Sequence, residues 1–206
     1  MTIKQITVGP FQMNVYIIHN ENNNECLLVD PSDELDRIYD YLDHHQLKPI
    51  AIVNTHAHID HIRFTKHIQD KYKLPFYLAE EEIPLLDNLE KQGALYGIET
   101  AEPPGLTHRL VETEKLVIGS FSFRVLHAPG HSPGSMCFLF EKDLIAGDVL
   151  FFDSIGRTDL YMGDYDLLIQ SIRTKLLTLP DDTRVYPGHG PATTIGRERQ
   201  YNPFLQ

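Results

Sequence analysis

The chain has 206 residues, enough to bury most of its apolar surface as one domain. Apolar residues make up 42% and charged residues 23%, which excludes the disordered, collagenous and coiled-coil classes. The balance of 18 basic to 29 acidic residues leaves a net charge of −11; a surface of that sign repels phosphate backbones and anionic lipid, so neither a nucleic acid nor a membrane is an expected partner. No stretch approaches the roughly 20 apolar residues that span a bilayer, and Met1 to Asn14 holds one Lys and no apolar signal core. Cys26 and Cys137 sit inside the apolar runs CLLV and MCFLF and read as reduced core thiols, so the expected compartment is the cytoplasm. Composition leaves the oligomeric state open.

The first 30 residues read as strands: Ile3 to Val8, Val15 to His19 and Cys26 to Val29, with the polar run Asn20 to Glu25 as a turn. A helix follows Pro31 and Ser32. Leu35, Ile38, Tyr39 and Leu42 fall at i, i+3, i+4 and i+7, and Asp33 and Glu34 suit its positive N-terminal end. Ile50 to Val53 is a buried strand running into Thr55 and His56, Ile62 to Tyr72 a second helix, and Pro75 to Leu78 a short strand. The acidic run Glu80, Glu81 and Glu82 reads as a solvated helix start. The Gly and Pro scattered through residues 93–105 read as a long surface loop, of the kind that walls active sites. The second half repeats the rhythm, with strands at Leu116 to Ile118, Phe121 to His127, Met136 to Phe140 and Leu144 to Ala146. A helix at Tyr165 to Leu177, N-capped by Asp164, and a strand at Arg184 to Tyr186 complete it. Strand runs with a helix interposed in each half suggest two sheets covered by helices in one domain over residues 1–206.

The densest chemical feature is the run Thr55-His56-Ala57-His58-Ile59-Asp60-His61. Imidazole and carboxylate are preferred ligands for zinc and similar ions, and in an extended segment His56 and His58 lie on one side. A bend at Asp60 would turn the last two ligands towards a second ion. Three further candidates stand in small-residue turns after apolar strands: His131 in APGHSPG, Asp148 in AGD and His189 in PGHG. Together these are five His and two Asp at strand ends, a set that points to two metal ions. Asp30 and Thr55 each have two readings, as partners of a ligand or as ordinary strand-end residues. His127 lies outside the set, and His19, His44, His45, His67 and His108 read as surface or packing residues. Arg157, nine residues past Asp148, either meets an anionic substrate or pairs with a carboxylate such as Asp153 or Asp159.

The pattern T-H-x-H-x-D-H, then G-H, G-D and P-G-H-G, resembles the metallo-β-lactamase superfamily. The segments GDVLF, GRTDL and YPGHGPATTIGRER, together with the EPPG loop, are similar to short bacterial glyoxalase II-like hydrolases. The resemblance implies a four-layer αββα sandwich of two mixed sheets. It also implies His56, His58 and His131 on a first metal, Asp60, His61 and His189 on a second, and Asp148 bridging both. It further implies zinc, with iron or manganese as alternatives, and hydrolysis of a small acyl thioester such as a 2-hydroxyacyl-glutathione, with Asp60 and Asp148 catalytic; Arg157, on the first of its two readings, would bind that substrate. Full-length glyoxalase II carries a C-terminal helical region that helps hold glutathione, whereas 17 residues follow His189 here, so the thiol carrier stays open. Persulfide dioxygenases of the same superfamily share GRTD; that alternative would place one iron on His56, His131 and Asp148.

Overall fold

The computed structural model describes residues 1–20 and 22–206, and the expected turn over Asn20 to Glu25 is described except at Glu21. The first three strands are β1 (Thr2–Val8), β2 (Met13–His19) and β3 (Glu25–Val29). They pair as an antiparallel meander, with Ile6 opposite Val15 and Ile18 opposite Leu27. From β3 the chain alternates helix and strand. Helix α1 (Leu35–His44) leads to β4 (Lys48–Val53), and α2 (Ile59–Ile62) and α3 (Thr65–Tyr72) lead to β5 (Phe76–Ala79). A 3-10 turn (Glu80–Glu82), α4 (Ile83–Leu86) and α5 (Leu89–Tyr96) lead to β6 (His108–Leu110). Strands β3 to β6 are all parallel, so the first sheet is mixed, in the order β1-β2-β3-β4-β5-β6.

The second sheet has the order β14-β13-β10-β9-β8-β7. Its strands are β7 (Thr113–Ile118), β8 (Phe121–His127), β9 (Met136–Phe140), β10 (Asp143–Gly147), β13 (Arg184–Pro187) and β14 (Thr193–Thr194). β10 and β13 run parallel, whereas β8 with β9, β9 with β10 and β13 with β14 are antiparallel; the chain between β10 and β13 carries a small hairpin, β11 (Leu150–Phe151) and β12 (Ser154–Ile155), and α6 (Tyr165–Ser171). A final helix, α7 (Ile195–Tyr201), follows β14.

Two compact units result, residues 1–110 with 117–121, and residues 111–116 with 122–206. The first unit's core joins Val15, Ile17, Cys26, Leu28, Ile38, Leu42, Ile52, Ile62, Ile68, Phe76 and Leu78. The second unit's core joins Leu126, Cys137, Leu144, Ala146, Leu168, Ile172, Leu176, Val185 and Ile195. Each sheet therefore buries one face against its own helices, as the spacing of Ile38 and Leu42 and of Leu168, Ile172 and Leu176 requires. Both cysteines are free and buried, and burial pushes the Cys26 thiol up to about 12. Among the described residues no helix is long and apolar enough to cross a membrane.

The expected helix from Ile62 is broken. The Phe64 amide donates to the Ser32 carbonyl (2.8 Å) and Arg63 pairs with Asp33 (2.7 Å), so the chain leaves α2 before α3 begins. The helix expected over Tyr165 to Leu177 is present as α6 continued by a π-helical turn, Ile172–Leu176. Asp164 caps α6 by accepting from the Leu167 amide (2.9 Å). Asp164→Ala should therefore lower stability by about 1 kcal/mol, read as a lower denaturant midpoint at unchanged m.

Candidate metal centre

The first unit presents its ligands where three neighbouring parallel strands end. β3 ends at Asp30, β4 runs out into residues 54–61, and β5 into the turn that holds Glu82. Carboxyl ends of parallel strands form a row of loops at one edge of a sheet, where polar side chains converge. The run His56 to His61 is no solvated loop: His56, His58 and His61 are buried, and only Asp60 among its polar residues is half-buried. The rings of His56 and His58 lie 4.8 Å apart edge to face, and those of His56 and His61 4.1 Å apart.

Asp30 is the hub of this half. It takes a left-handed backbone (φ 52°), a conformation Asp tolerates better than most residues. Its carboxylate accepts from the Thr55 amide (2.7 Å), the Thr55 hydroxyl (2.6 Å) and His61 Nδ1 (2.8 Å). The Thr55 hydroxyl, having given its proton to Asp30, accepts from His56 Nδ1 (3.0 Å). Both imidazoles thus carry their proton on Nδ1 and turn the Nε2 lone pair away from the brace, the tautomer a metal ligand needs. Asp30 and Thr55 thus stand just past strand ends and also engage the rings of His61 and His56, two of the candidate ligands.

Other polar residues fix the backbone of the run. Fully buried Glu82 accepts the Ala57 amide (2.7 Å), between His56 and His58. Gln92 on α5 accepts the Ile59 amide (3.0 Å) and donates to the Ala57 carbonyl (3.0 Å). Asn54 donates to the His61 carbonyl (2.9 Å), and the Ser32 hydroxyl to the Asp60 carbonyl. The reading of the acidic run as solvated is corrected at Glu82: Glu80 and Glu81 are exposed, but the turn drives the third carboxylate inwards. Nothing in the local sequence separates the three; only the demand for an acceptor at the Ala57 amide does.

In the second unit His131 follows β8, Asp148 follows β10 and His189 follows β13, again at strand ends. His131 Nε2 and His189 Nε2 each lie 3.5 Å from the same oxygen, Asp148 Oδ2. His131 Nδ1 donates to the Arg157 carbonyl (2.7 Å), which fixes the same tautomer as in the first unit. The Gly188 amide donates to the Gly147 carbonyl (2.8 Å), joining the turns that carry His189 and Asp148. The turn around His131 is held by nearby groups and by the N-cap of α6. His127 Nε2 donates to the Pro133 carbonyl (3.0 Å), the Ser132 and Ser135 hydroxyls lie 2.7 Å apart, and the Asp164 amide reaches the Gly130 carbonyl (2.7 Å). His127 is thus a brace, consistent with its place outside the ligand set.

The Arg157 side chain forks onto Asp159 through two hydrogen bonds of 2.7 Å each, both groups being largely exposed. That guanidinium holds the Asp159 carboxyl down at about 2. What Arg157 gives the second unit's ligands directly is its carbonyl, which sequence patterns do not record.

These donors fit divalent metal. Each unit supplies imidazole Nε2 atoms with the opposite ring nitrogen already engaged where a partner is seen, together with a carboxylate, which suits zinc, iron or manganese. Residues 8–189 match the model of the metallo-β-lactamase superfamily, and the chain belongs to that family. It is 41% identical over 210 residues to the probable metallo-hydrolase YqgX of Bacillus subtilis, covering 100% of this chain and 98% of the relative. To the hydroxyacylglutathione hydrolase GloC of Haemophilus influenzae it is 36% identical, covering 100% and 98%. Among solved structures, the B3 metallo-β-lactamase BLEG-1 superposes with a TM-score of 0.92 at 44% identity, covering 100% of both chains. TTHA1623, in a di-iron-bound form, gives 0.89 at 37% identity, covering 98% and 100%. The two mixed sheets with helices are accordingly the metallo-β-lactamase fold.

Asp30→Asn replaces an acceptor of three donors by an amide that meets one of them with N–H. It should weaken metal affinity by about 10–100-fold in competition against a chromophoric chelator; an unchanged affinity in the folded variant would leave Asp30 only a strand terminator. Gly130 has φ 130°, and a Cβ there would stand 2.3 Å from the Leu168 nitrogen. Gly130→Ala should lower stability by about 2–3 kcal/mol, measured by chemical denaturation.

Proposed function

We propose that the seven candidate ligands act as one dinuclear set: His56, His58 and His131 on one ion, Asp60, His61 and His189 on the other, and Asp148 on both. The reaction we assign to them is hydrolysis of a small acyl thioester, with a 2-hydroxyacyl-glutathione as the leading substrate. The observation that carries this reading is the pair of histidines in the second unit, both 3.5 Å from one Asp148 oxygen, which suits a carboxylate shared between ions. Family membership and the similarity to GloC support the reaction class. Bound divalent ions, zinc first and iron or manganese otherwise, would supply hydroxide at neutral pH and polarise the scissile carbonyl.

The chain's own residues would do the rest. Asp30, Thr55 and the Arg157 carbonyl hold imidazole rings in one tautomer, so no proton has to be moved before a metal binds. Asp60, half-buried at the start of α2, is proposed to orient the attacking hydroxide as well as to ligate. A thiolate of pKa about 8.5 departs without the general acid that an amine demands, which favours a thioester over an ordinary amide. Arg157 is proposed to meet the carboxylate of the thiol carrier: the fork now on Asp159 is the geometry a substrate carboxylate would use.

A β-lactam is the second reading, favoured by the similarity to BLEG-1. Metal-loaded protein should hydrolyse S-lactoylglutathione, and chelation or Asp148→Ala should abolish turnover. A chromogenic cephalosporin and persulfide-dependent oxygen uptake serve as the competing assays. Turnover in either of those with none on the thioester would overturn the proposal. Arg157→Ala should cut kcat/KM about tenfold to a hundredfold, chiefly through KM; an unchanged KM with a lower melting temperature would return Arg157 to the Asp159 ion pair alone.

A further inference from the structure

Nine residues past His189, the last helix buries a carboxylate. Glu198 on α7 is fully buried, and its two oxygens accept four hydrogen bonds. One oxygen takes the Thr193 hydroxyl (2.5 Å) and Arg197 Nη1 (2.9 Å). The other takes the Asp153 amide (2.9 Å) and Asn202 Nδ2 (2.9 Å). Four donors saturate the lone pairs of a carboxylate, which is the condition under which a buried charge is tolerated.

Two of those donors lead to one place. Asp153 is the tip of the β11–β12 hairpin, in a left-handed conformation (φ 55°), and Asn202 also donates to the Ser154 carbonyl (2.9 Å) at the same tip. Arg197 adds a fork onto the Asp153 carboxylate (2.7 and 3.0 Å), which lowers the pKa of that acid, and lies 3.7 Å over the Phe152 ring. The tip is thus gripped at its amide, carbonyl, carboxylate and ring by residues of one helix and the turn after it.

The hairpin's other end is part of the ligand scaffold. It leaves Asp148 through Val149 and returns through Gly156 to Arg157, whose carbonyl orients His131. The return is so close that a Cβ on Gly156 would stand 1.9 Å from the Asp148 carbonyl oxygen. The Phe151 ring on the hairpin meets the His189 ring edge to face at 6.1 Å. Three ligands, Asp148, His131 and His189, therefore touch or flank a hairpin too short to hold its own shape in water.

We propose that Glu198, with Asn202, is a positioning residue for metal. By pinning the tip of the 150–155 hairpin, it fixes the path from Asp148 to the Arg157 carbonyl and so the ligand geometry of the second unit. The inference rests on the metal-binding reading above, but not on which substrate is cleaved. A merely structural carboxylate would stabilise the chain without affecting how long metal stays. The two roles separate because the donors divide: Thr193 grips Glu198 from the β14 side, whereas Asn202 grips the hairpin.

The test compares Glu198→Gln, Asn202→Ala and Thr193→Val as purified, metal-loaded proteins. The readouts are the rate of metal loss to a chelator and the melting temperature of the metal-free and metal-loaded forms. Glu198→Gln and Asn202→Ala should release metal about tenfold faster than the parent and show a smaller rise in melting temperature on metal addition. Thr193→Val should lower both melting temperatures together and release metal at the parental rate. If Glu198→Gln does not fold, Asn202→Ala decides alone. Folded variants that all keep metal as the parent does, differing only in melting temperature, would overturn the proposal. A parent that holds metal but cleaves no thioester would instead overturn the substrate assignment and leave this inference standing.

Discussion

The structure depends on one constraint: polar ligands that must be buried have to be held before metal arrives, and only other buried polar groups can hold them. An imidazole on a mobile loop would sample both tautomers and many rotamers, and each would have to be frozen at the moment of binding. Here Asp30 engages His61 directly and His56 through Thr55, and the Arg157 carbonyl engages His131. The ligands themselves are a small part of the machinery. The larger part is a set of acceptors that engage the Nδ1 atoms of these imidazoles and so fix how the rings are turned.

Bracing of this kind also explains three of the four carboxylates that, among the described residues, are buried outside the ligand set; the fourth, Asp143, pairs with Arg184 instead. Asp30, Glu82 and Glu198 each sit near zero exposure and each accepts at least one backbone amide from a segment that leaves a strand end. A chain leaving a sheet must turn, and its amides lose their ladder partners as it does so. Serving those amides by side-chain carboxylates rather than by water keeps the turn both dry and rigid. The two units solve the problem in parallel. In each, carboxylates placed elsewhere in the sequence close onto loops at the ends of strands.

Most strands were legible because Val, Ile and Leu crowd into runs such as Ile50 to Val53 and Met136 to Phe140, whose boundaries differ from the observed ones by two residues or fewer. The strands that escaped are short. β6, β14 and the β11–β12 hairpin have two or three residues each, too few for a periodic signal, and exist through their neighbours. The break between α2 and α3 was equally hidden, because it depends on the Ser32 carbonyl, which lies 32 residues before the Phe64 amide it accepts. The ligands were legible because histidine and aspartate clustered in six consecutive positions are rare. Their supports were not: Glu82 looks like its two neighbours, Gln92 and Asn202 look like surface amides, and the Arg157 contribution is a carbonyl that any residue type would supply.

The candidate ligands and their braces suit several ions and several chemistries, so they do not by themselves choose a substrate. The choice has to lie with groups that ride on the same scaffold yet remain free to vary. The segment from Phe151 to Asp159 has that character. Its backbone is fixed at the tip by α7 and at the return by the close approach of Gly156 to Asp148, while the side chains of Phe152, Arg157 and Asp159 are exposed. Changing those side chains alters what the segment presents without disturbing the carbonyl that orients His131. A braced main chain and exposed side chains are thereby carried on one short stretch, so that the side chains of Phe152, Arg157 and Asp159 can change while the backbone stays in place.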